Sequence, residues 1–308
     1  MTRNTAMAYA PIRLPQLLTS TMLLAGLLAT SSAHADRCSA NAEGRYTCTY
    51  QEIKHPLTAN TGNGCTGKAT TRNVRWQVPE GTPPAGGWPV VFYYNGTVLF
   101  NSPSTKPFTS TSTSFGAHFA EEGLHEFLDD PKGTGRKYAV FAPEAPGGNF
   151  IQAWDTNGSG DYTGKDDYCF LPSLFNGVSS GIYGDASQYN MGKRFALGIS
   201  SGGYNTSRMA VTFNEGSPWR ALVIVSGSYA TCLGPFCKLP STLPANHPPT
   251  KFYHGTKDLI VGISTMRPYF ERLKSEGFTT EKVEHGGGHA FSKETLGEGG
   301  VKAWFDRF

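Results

Sequence analysis

Residues 194–209, RFALGISSGGYNTSRM, constrain the fold of this chain more than any other stretch. The stretch begins as a short apolar strand, passes through Gly198, Ile199, Ser200, Ser201 and Gly202, and ends in residues that can start a helix. A strand, a tight turn and a helix in this order predict a nucleophile elbow, in which a serine is held in strained backbone geometry. Bulky side chains two residues before or after Ser200 would collide, which explains the glycine at both positions. We therefore predict that Ser200 is a nucleophile.

Apolar, β-branched or aromatic runs recur along the chain and predict its other strands. Residues 46–53 and 73–78 are expected to form early antiparallel strands. Later runs are short and alternate with longer segments, as in a parallel sheet built from βαβ units; they cover residues 89–94, 138–142, 194–198, 221–225, 251–254 and 282–285. The spacing of apolar residues predicts helices over 263–276 and 301–308.

Eight predicted strands, with Ser200 after the fifth, give the layout of the α/β-hydrolase fold. We accordingly predict an α/β protein with a mostly parallel eight-stranded sheet flanked by helices. In this fold an acid follows a later strand and a histidine lies near the end of the domain, in the chain order Ser, Asp, His.

Two downstream segments carry residues that fit this order. Residues 251–258, KFYHGTKD, run from a strand into a turn at Asp258, where the hydrolase acid is expected; an ordinary turn aspartate is the alternative. Residues 284–290, EHGGGHA, hold two histidines after the last strand. The glycines allow a side chain here to reach a serine on another strand, so we assign His289 as general base. His285 is the competitor and is expected to be structural.

The three residues have complementary chemical roles. Ser200 is a poor nucleophile until His289 takes its proton, and Asp258 holds the imidazole tautomer and stabilises the imidazolium. Further histidines are expected to be packing or surface residues, namely His118, His125 and His254.

An oxyanion at the reacting carbon requires donors that are already in place. The backbone N–H of Ser201, at the start of the elbow helix, is expected to be one donor. The other is expected from residues 94–97, YNGT, where Gly96 lets the backbone turn close to the site. We favour the N–H of Thr97, with Asn95 and Gly96 as alternatives.

The first 35 residues have the pattern of a secretory signal peptide. Arg3 and Arg13 make the start basic, residues 17–29 are apolar, and small residues at 33 and 35 predict cleavage between Ala35 and Asp36. A membrane anchor is the alternative, but the apolar run is shorter than the roughly 20 residues that a span requires. We predict a secreted protein with one catalytic domain over residues 36–308.

Six cysteines, all after the predicted leader, indicate three disulfides in an exported protein. They are Cys38, Cys48, Cys65, Cys169, Cys232 and Cys237. Three lie near the mature N-terminus and three lie later, so at least one bridge joins the two groups if all are paired. Cys232 and Cys237 are close enough in sequence to close a small loop.

Charge and motif content exclude several other classes of function. The leader would remove two of the 27 basic residues and none of the 24 acidic ones, which leaves a nearly neutral chain. Such a balance argues against nucleic acid as a partner and fits an uncharged substrate. We expect no metal and no cofactor, because no ligand cluster at zinc spacing and no phosphate loop is present.

Three segments resemble the extracellular medium-chain-length polyhydroxyalkanoate depolymerases. They are residues 198–209 (GISSGGYNTSRM), 226–232 (SGSYATC) and 254–258 (HGTKD), and the similarity extends over most of residues 36–308. The resemblance implies a secreted serine esterase that cuts hydroxyalkanoate ester bonds in a water-insoluble polyester. It also implies the triad of Ser200, Asp258 and His289.

Related short-chain-length enzymes often carry a linker and a separate polymer-binding module. Few residues follow His289, so we expect no such module, and adsorption would use apolar surface on the catalytic domain. Eight aromatic residues in loops or at segment ends are the candidates for such a patch: Phe100, Phe108, Phe115, Phe150, Trp154, Phe170, Phe175 and Tyr229. Each of them taken individually is expected to be a core residue.

Other functions use the same residues. A general secreted carboxylesterase or lipase needs the same triad, and so does a polyamide or peptide hydrolase. A surface-binding protein that kept the fold and lost activity is the alternative outside the enzymes.

Overall fold

The computed structural model describes Met1 and residues 36–308, apart from residues 57–64, 66–70, 101–105, 149, 156–161 and 234–235. The chain divides into two units, residues 1–33 and His34–Phe308. All the helices and strands given below lie in the second unit. The predicted leader, apart from Met1, lies outside the described residues.

The strands, in chain order, are β1 (Cys38–Ala40), β2 (Tyr46–Cys48), β3 (Gln51–His55), β4 (Arg72–Gln77), β5 (Trp88–Tyr94), β6 (Val98–Leu99), β7 (Ala139–Pro143), β8 (Ile151–Gln152), β9 (Tyr189–Ile199), β10 (Trp219–Val225), β11 (Cys232–Leu233), β12 (Phe236–Cys237), β13 (Thr250–Gly255) and β14 (Thr280–His285). The α-helices are α1 (Ala117–Asp129), α2 (Asp166–Ser179), α3 (Ser201–Val211), α4 (Ile263–Ser275) and α5 (Val301–Phe305).

Eight of these strands form the central sheet, in the order β3-β4-β7-β5-β9-β10-β13-β14. The β3–β4 and β4–β7 pairs are antiparallel, and every other pair is parallel. Numbered along the chain, the eight strands lie in the spatial order 1-2-4-3-5-6-7-8, and β9, which leads into Ser200, is the fifth. The predicted α/β-hydrolase fold is confirmed.

The prediction of one strand over residues 46–53 is wrong. The segment divides into β2, which pairs with β1, and β3, which pairs with β4 in the central sheet. Cys38 and Cys48 face each other in the β1–β2 register and are joined by a disulfide. This bond fixes β2 in a small separate sheet, so the chain must leave it before β3 begins.

Alternate residues of β5 enter two different cores. Val91 and Tyr93 pack with side chains of α1 and α5 on one face of the sheet. Val90, Phe92 and Tyr94 pack with side chains of α2 and α3 on the other. Burial on both faces explains why this central strand is apolar without alternation. The same burial fixes the carboxyl end of β5 beside that of β9, its neighbour in the sheet.

Disulfides hold the N-terminal part of the second unit. Cys38 pairs with Cys48, and Cys65 pairs with Cys169 on α2, 104 positions away in sequence. The expected bridge between the early and the late cysteines is therefore present. Cys232 is also disulfide-bonded, and its backbone partner in the β11–β12 register is Cys237.

The pool of aromatic residues expected to supply a surface patch divides into two groups. Phe100, Phe115 and Phe150 are exposed. The expectation that each ring is individually core is wrong for these three and is confirmed for the others, which are buried: Phe108, Trp154, Phe170, Phe175 and Tyr229. Helix and strand packing explains the burial, since α2 turns two of these rings into the core beneath the sheet.

Candidate active site

Ser200 lies between the end of β9 and the start of α3, in the predicted strand-turn-helix. Its φ of 57° and ψ of −124° are strained values for a residue with a side chain. A Cβ on Gly198 would overlap the carbonyl oxygen of Gly202, and one on Gly202 would overlap that of Tyr94. Both glycines are therefore required for the turn to form.

Backbone hydrogen bonds fix the elbow to its neighbours. Ser200 N donates to the carbonyl of Val225 at the end of β10 (3.0 Å), and Tyr204 N donates to the carbonyl of Ser200 (3.1 Å). Gly203 and Gly227 bring α3 and the end of β10 together, since a Cβ on Gly227 would lie 3.1 Å from the Cα of Gly203. The serine is held by its surroundings, as a strained residue must be.

Asp258 follows β13 and is buried. Its Oδ1 accepts hydrogen bonds from the backbone N–H groups of Ile260 (2.9 Å) and Val261 (2.8 Å). Its Oδ2 lies 2.8 Å from Nδ1 of His289. The two residues that the sequence assigned as acid and base are thus in direct contact.

The acid is ionised at neutral pH. Burial acts to raise the pKa of Asp258, but hydrogen bonds from His254, His289 and the backbone of Val261 outweigh it and hold the pKa well below its usual range. A carboxylate can only accept at this contact, so Nδ1 of His289 carries the proton. The remaining ring nitrogen, Nε2, is then the one able to take a proton from a nucleophile.

His254 also touches the acid, which the sequence reasoning missed. It is the penultimate residue of β13 and is fully buried. Its Nε2 lies 2.7 Å from the carbonyl oxygen of Val261 and 3.4 Å from Oδ2 of Asp258. The sequence signal for this contact is the spacing of four residues between His254 and Asp258. A turn that follows a strand can bring a residue four positions later next to a side chain near the end of the strand.

His285 has a different environment from His289. Its carbonyl accepts from Thr256 N (2.8 Å), and its own Nδ1 accepts from Gly287 N (3.2 Å). Lys257 N donates to the carbonyl of Gly287 (3.0 Å), which ties the glycine loop to the turn that carries the acid. Burial lowers the pKa of His285. These contacts favour a role in holding the loop.

The histidine loop packs against the strand beside the elbow. The ring of Phe115 stands edge-on to His289 at 6.1 Å, and Phe291 N donates to the carbonyl of Phe115 (3.0 Å). The Phe291 ring lies 6.0 Å from Tyr93 on β5, which pairs with β9. His289 therefore lies at the carboxyl edge of the sheet, where Ser200 also lies.

No hydrogen bond joins Ser200 Oγ to His289 within the part of the chain that the structure describes. Such contacts are often long without substrate and tighten in the complex. The charge of Asp258 nonetheless affects the pKa of Tyr204, which lies in the first turn of α3. Burial raises the pKa of Tyr204, a hydrogen bond with Thr265 lowers it, and the charge of Asp258 raises it further.

The loop after β5 lies against the elbow, as the oxyanion prediction requires. A Cβ on Gly96 would lie 3.2 Å from the Cβ of Ser200. Thr97 Oγ1 donates to Ser201 Oγ at 3.2 Å, and Trp154 Nε1 donates to the carbonyl of Asn95 at 2.9 Å. Ser201 is the first residue of α3, so its N–H has no partner within the helix.

Two other histidines of the sequence prediction lie outside the site. Both belong to α1. His118 Nδ1 lies 3.3 Å from the carbonyl of Ser112, and His125 stacks on Tyr46 with ring centroids 4.0 Å apart.

A second serine–histidine pair joins β3, the outermost strand of the sheet, to α2. His55 Nε2 is 3.0 Å from Ser173 Oγ, and His55 Nδ1 is 2.8 Å from the hydroxyl of Tyr183. Ser173 lies inside α2 and not at a strand–helix turn, and among the described residues no carboxylate contacts the His55 ring. This buried cluster has the geometry of a packing contact, and burial lowers the pKa of His55.

Within the described residues, no cluster of His, Cys, Asp or Glu has the arrangement of a metal site. None of the helices described is both long and apolar enough to cross a membrane.

Comparison with known proteins identifies the family. The chain is 38% identical over 294 residues to the poly(3-hydroxyoctanoate) depolymerase of Pseudomonas fluorescens, covering 92% of this chain and 96% of that protein. Among solved structures, the Bacillus cereus carboxylesterase superposes with a TM-score of 0.52 at 12% identity, covering 77% of this chain and 94% of its own. A thermostable esterase superposes with a TM-score of 0.50 at 13% identity, covering 88% and 66%. No protein-family model matches.

The two structural similarities support the fold alone, since their identities are low. The sequence relative covers nearly the whole chain, and this chain covers nearly the whole relative. The chain therefore belongs to the polyhydroxyalkanoate depolymerases, carboxylic ester hydrolases with the α/β-hydrolase fold.

Proposed function

We propose that this chain is a secreted serine esterase that hydrolyses medium-chain-length polyhydroxyalkanoates through Ser200, His289 and Asp258. The observation that carries the proposal is the 2.8 Å contact between Asp258 Oδ2 and His289 Nδ1, at the sheet edge where the elbow holds Ser200. The substrate in the name of the Pseudomonas fluorescens relative, poly(3-hydroxyoctanoate), supports the substrate class.

In the first half-reaction, Ser200 Oγ attacks the carbonyl carbon of an ester in the polymer. Its proton passes to Nε2 of His289, and the ionised Asp258 stabilises the imidazolium through Nδ1–H. The tetrahedral intermediate collapses, the bond to the alkoxide oxygen breaks, and His289 returns the proton to that oxygen. One end of the polymer leaves as an alcohol, and the other is bound to Ser200 as an ester.

In the second half-reaction, water replaces the alcohol. His289 Nε2 takes a proton from the water as its oxygen attacks the acyl carbon, and the proton then goes to Ser200 Oγ as the acyl bond breaks. The product is a carboxylic acid, and the enzyme returns to its starting state.

The negative oxygen of both intermediates needs hydrogen-bond donors. The N–H of Ser201 supplies one, and the N–H of Thr97 is the favoured second. The support is the close approach of Gly96 to Ser200 and the hydroxyl contact of Thr97 with Ser201. Loss of one such donor typically costs roughly 3 kcal/mol of transition-state stabilisation.

Secretion is part of the proposal. Disulfides such as Cys38–Cys48 and Cys65–Cys169 form and persist in oxidising compartments. N-terminal sequencing of the protein recovered from culture medium tests this, with Asp36 expected as the first residue. Protein retained in cells with residue 1 or 2 at its start would contradict secretion.

Product analysis on purified esters tests the proposed substrate. The enzyme is expected to clear a poly(3-hydroxyoctanoate) suspension and release hydroxy acids, with no clearing by Ser200→Ala. Turnover of short p-nitrophenyl esters without polymer clearing would instead identify a general carboxylesterase. Cleavage of p-nitroanilides at a rate similar to that of the esters would identify an amide hydrolase.

A further inference from the structure

Exposed apolar side chains gather at one edge of the central sheet. Within the described part of residues 36–308, nine large apolar side chains are exposed. Seven belong to segments at the carboxyl edge: Leu99, Phe100, Phe115, Phe150, Ile151, Leu259 and Ile260. The other two are Tyr50, which precedes β3 and so lies at the amino edge, and Ile182, which follows α2 and lies with His55 of the outermost strand β3 beside Gly177.

Four of the seven form a small two-stranded ribbon. β6 follows β5 and β8 follows β7, and the two pair antiparallel with Leu99 opposite Ile151. Phe100 N donates to the carbonyl of Phe150 (2.8 Å), and the two rings lie 6.4 Å apart. Their side chains are about three-quarters exposed, at 76% and 75%. No residue of 98–100 or 150–154 is charged.

Two of these aromatic residues are also strained. Phe100 has a φ of 54° and Phe115 a φ of 52°, in the left-handed region that favours glycine. A bulky apolar side chain at each position therefore destabilises the folded protein in two ways. The side chain is exposed to water, and the backbone conformation is unfavourable for it. Neither side chain contributes to the core, because both are exposed. A polar residue or a glycine would be more stable at either position, which points to a role outside folding.

The apolar residues border the proposed reactive groups. The ribbon follows directly after residues 95–97, the loop that approaches Ser200. The Phe115 ring stands 6.1 Å from His289. Leu259 and Ile260 come immediately after Asp258, and Leu259 is almost fully exposed. A water-insoluble substrate on these side chains would lie beside the site that cuts it.

We infer that these seven residues form an adsorption face for an aliphatic polyester surface. The inference rests on the proposed function and adds where the polymer binds. Alkyl side chains of a medium-chain polyester are uncharged and apolar, so their contact with this face removes apolar surface from water on both partners. A polymer strand at the surface then lies over the carboxyl edge, with an ester within reach of the elbow.

Adsorption is tested separately from hydrolysis by using Ser200→Ala as the parent protein. The parent is mixed with poly(3-hydroxyoctanoate) particles, and the protein left in solution gives a partition coefficient. Adding Phe100→Ser and Phe150→Ser together is expected to lower this coefficient at least about tenfold. Ile151→Ser is expected to lower it about threefold, whereas the matched Ile182→Ser, beside the outermost strand β3, leaves it unchanged. Thermal melting verifies that each variant is folded.

Three results would overturn the adsorption face. One is an unchanged partition coefficient in the folded double variant, and another is an equal loss in Ile182→Ser. The third is a parent protein that sediments as a dimer and becomes a monomer with Phe100→Ser and Phe150→Ser, because the face would then join two copies of the chain. Failure of the proposed function would give a different result, because the wild-type protein, with Ser200 intact, would then not hydrolyse the polymer.

Discussion

Nε2 of His254 lies 3.4 Å from Oδ2 of Asp258, the oxygen that also holds His289. The acid is therefore held between two imidazoles, with two backbone N–H groups on its other oxygen. These contacts on both oxygens hold the Asp258 carboxylate in one orientation. His254 acts through Asp258 and does not touch the substrate, so we interpret it as a positioning residue.

His254→Leu should lower kcat on a soluble ester about tenfold or more and change KM little, while His254→Gln, which keeps a donor, recovers part of kcat. The dependence of the free energy of unfolding on pH in the acid range should change as well. The depressed pKa of Asp258 contributes stability that is present above about pH 4 and is lost as pH falls through the folded value. In His254→Leu the folded pKa of Asp258 should be less depressed, so this loss should be smaller and should end at a higher pH, as followed by acid unfolding. Identical kinetics and acid unfolding in the two variants would refute the role.

His289→Ala should lower kcat/KM on a soluble ester by about a thousandfold or more, because it removes the base. His285→Ala should cost about tenfold or less, since His285 only holds the loop through Gly287. Steady-state kinetics on both variants, with melting temperatures as the control for folding, make the comparison. Equal losses would show that the assignment between the two histidines is wrong.

Glu121 on α1 should make stability fall as pH rises. Burial raises the pKa of Glu121 to about 8, although hydrogen bonds from the backbone of Ser110 and Phe108 and the charge of Arg75 lower it. Between its ordinary pKa and about 8, the folded protein keeps a proton that the unfolded chain releases, so the free energy of unfolding decreases across this range.

Glu121→Gln is neutral at every pH and lacks this loss. Relative to wild type, its free energy of unfolding should rise by on the order of 3 kcal/mol between pH 4.5 and pH 8.5. Urea unfolding at the two pH values provides the measurement. A difference between variant and wild type that stays constant with pH would contradict the prediction.

The disulfides Cys38–Cys48 and Cys65–Cys169 should contribute unequally to stability. Cys65–Cys169 closes a separation of 104 residues and Cys38–Cys48 one of 10. Chain-entropy arguments give the longer loop about 2 kcal/mol more stabilisation. Paired Cys→Ala variants of each bond, compared by urea unfolding, test the order. A larger loss from removing Cys38–Cys48 would reverse it.

The sequence predicts those features of the fold and site that depend on local constraints. The elbow is one, because the strain at Ser200 requires glycine on both sides wherever the turn occurs. The contact between His289 and Asp258 follows from chain order once the parallel sheet is recognised. Two features depend on distant partners and were therefore not predicted. The disulfide at Cys48 divides the strand predicted over 46–53, and the exposed position of Phe100 depends on the pairing of β6 with the distant β8.

The account as a whole depends on a serine at position 200 that His289 activates. Wild-type protein is treated with a fluorophosphonate, and the modified peptide is identified by mass spectrometry as the reaction proceeds. We predict a single adduct on Ser200, formed at least about a hundredfold more slowly in His289→Ala. An adduct on another serine, such as Ser173 beside His55, or an unchanged rate in His289→Ala would contradict the account.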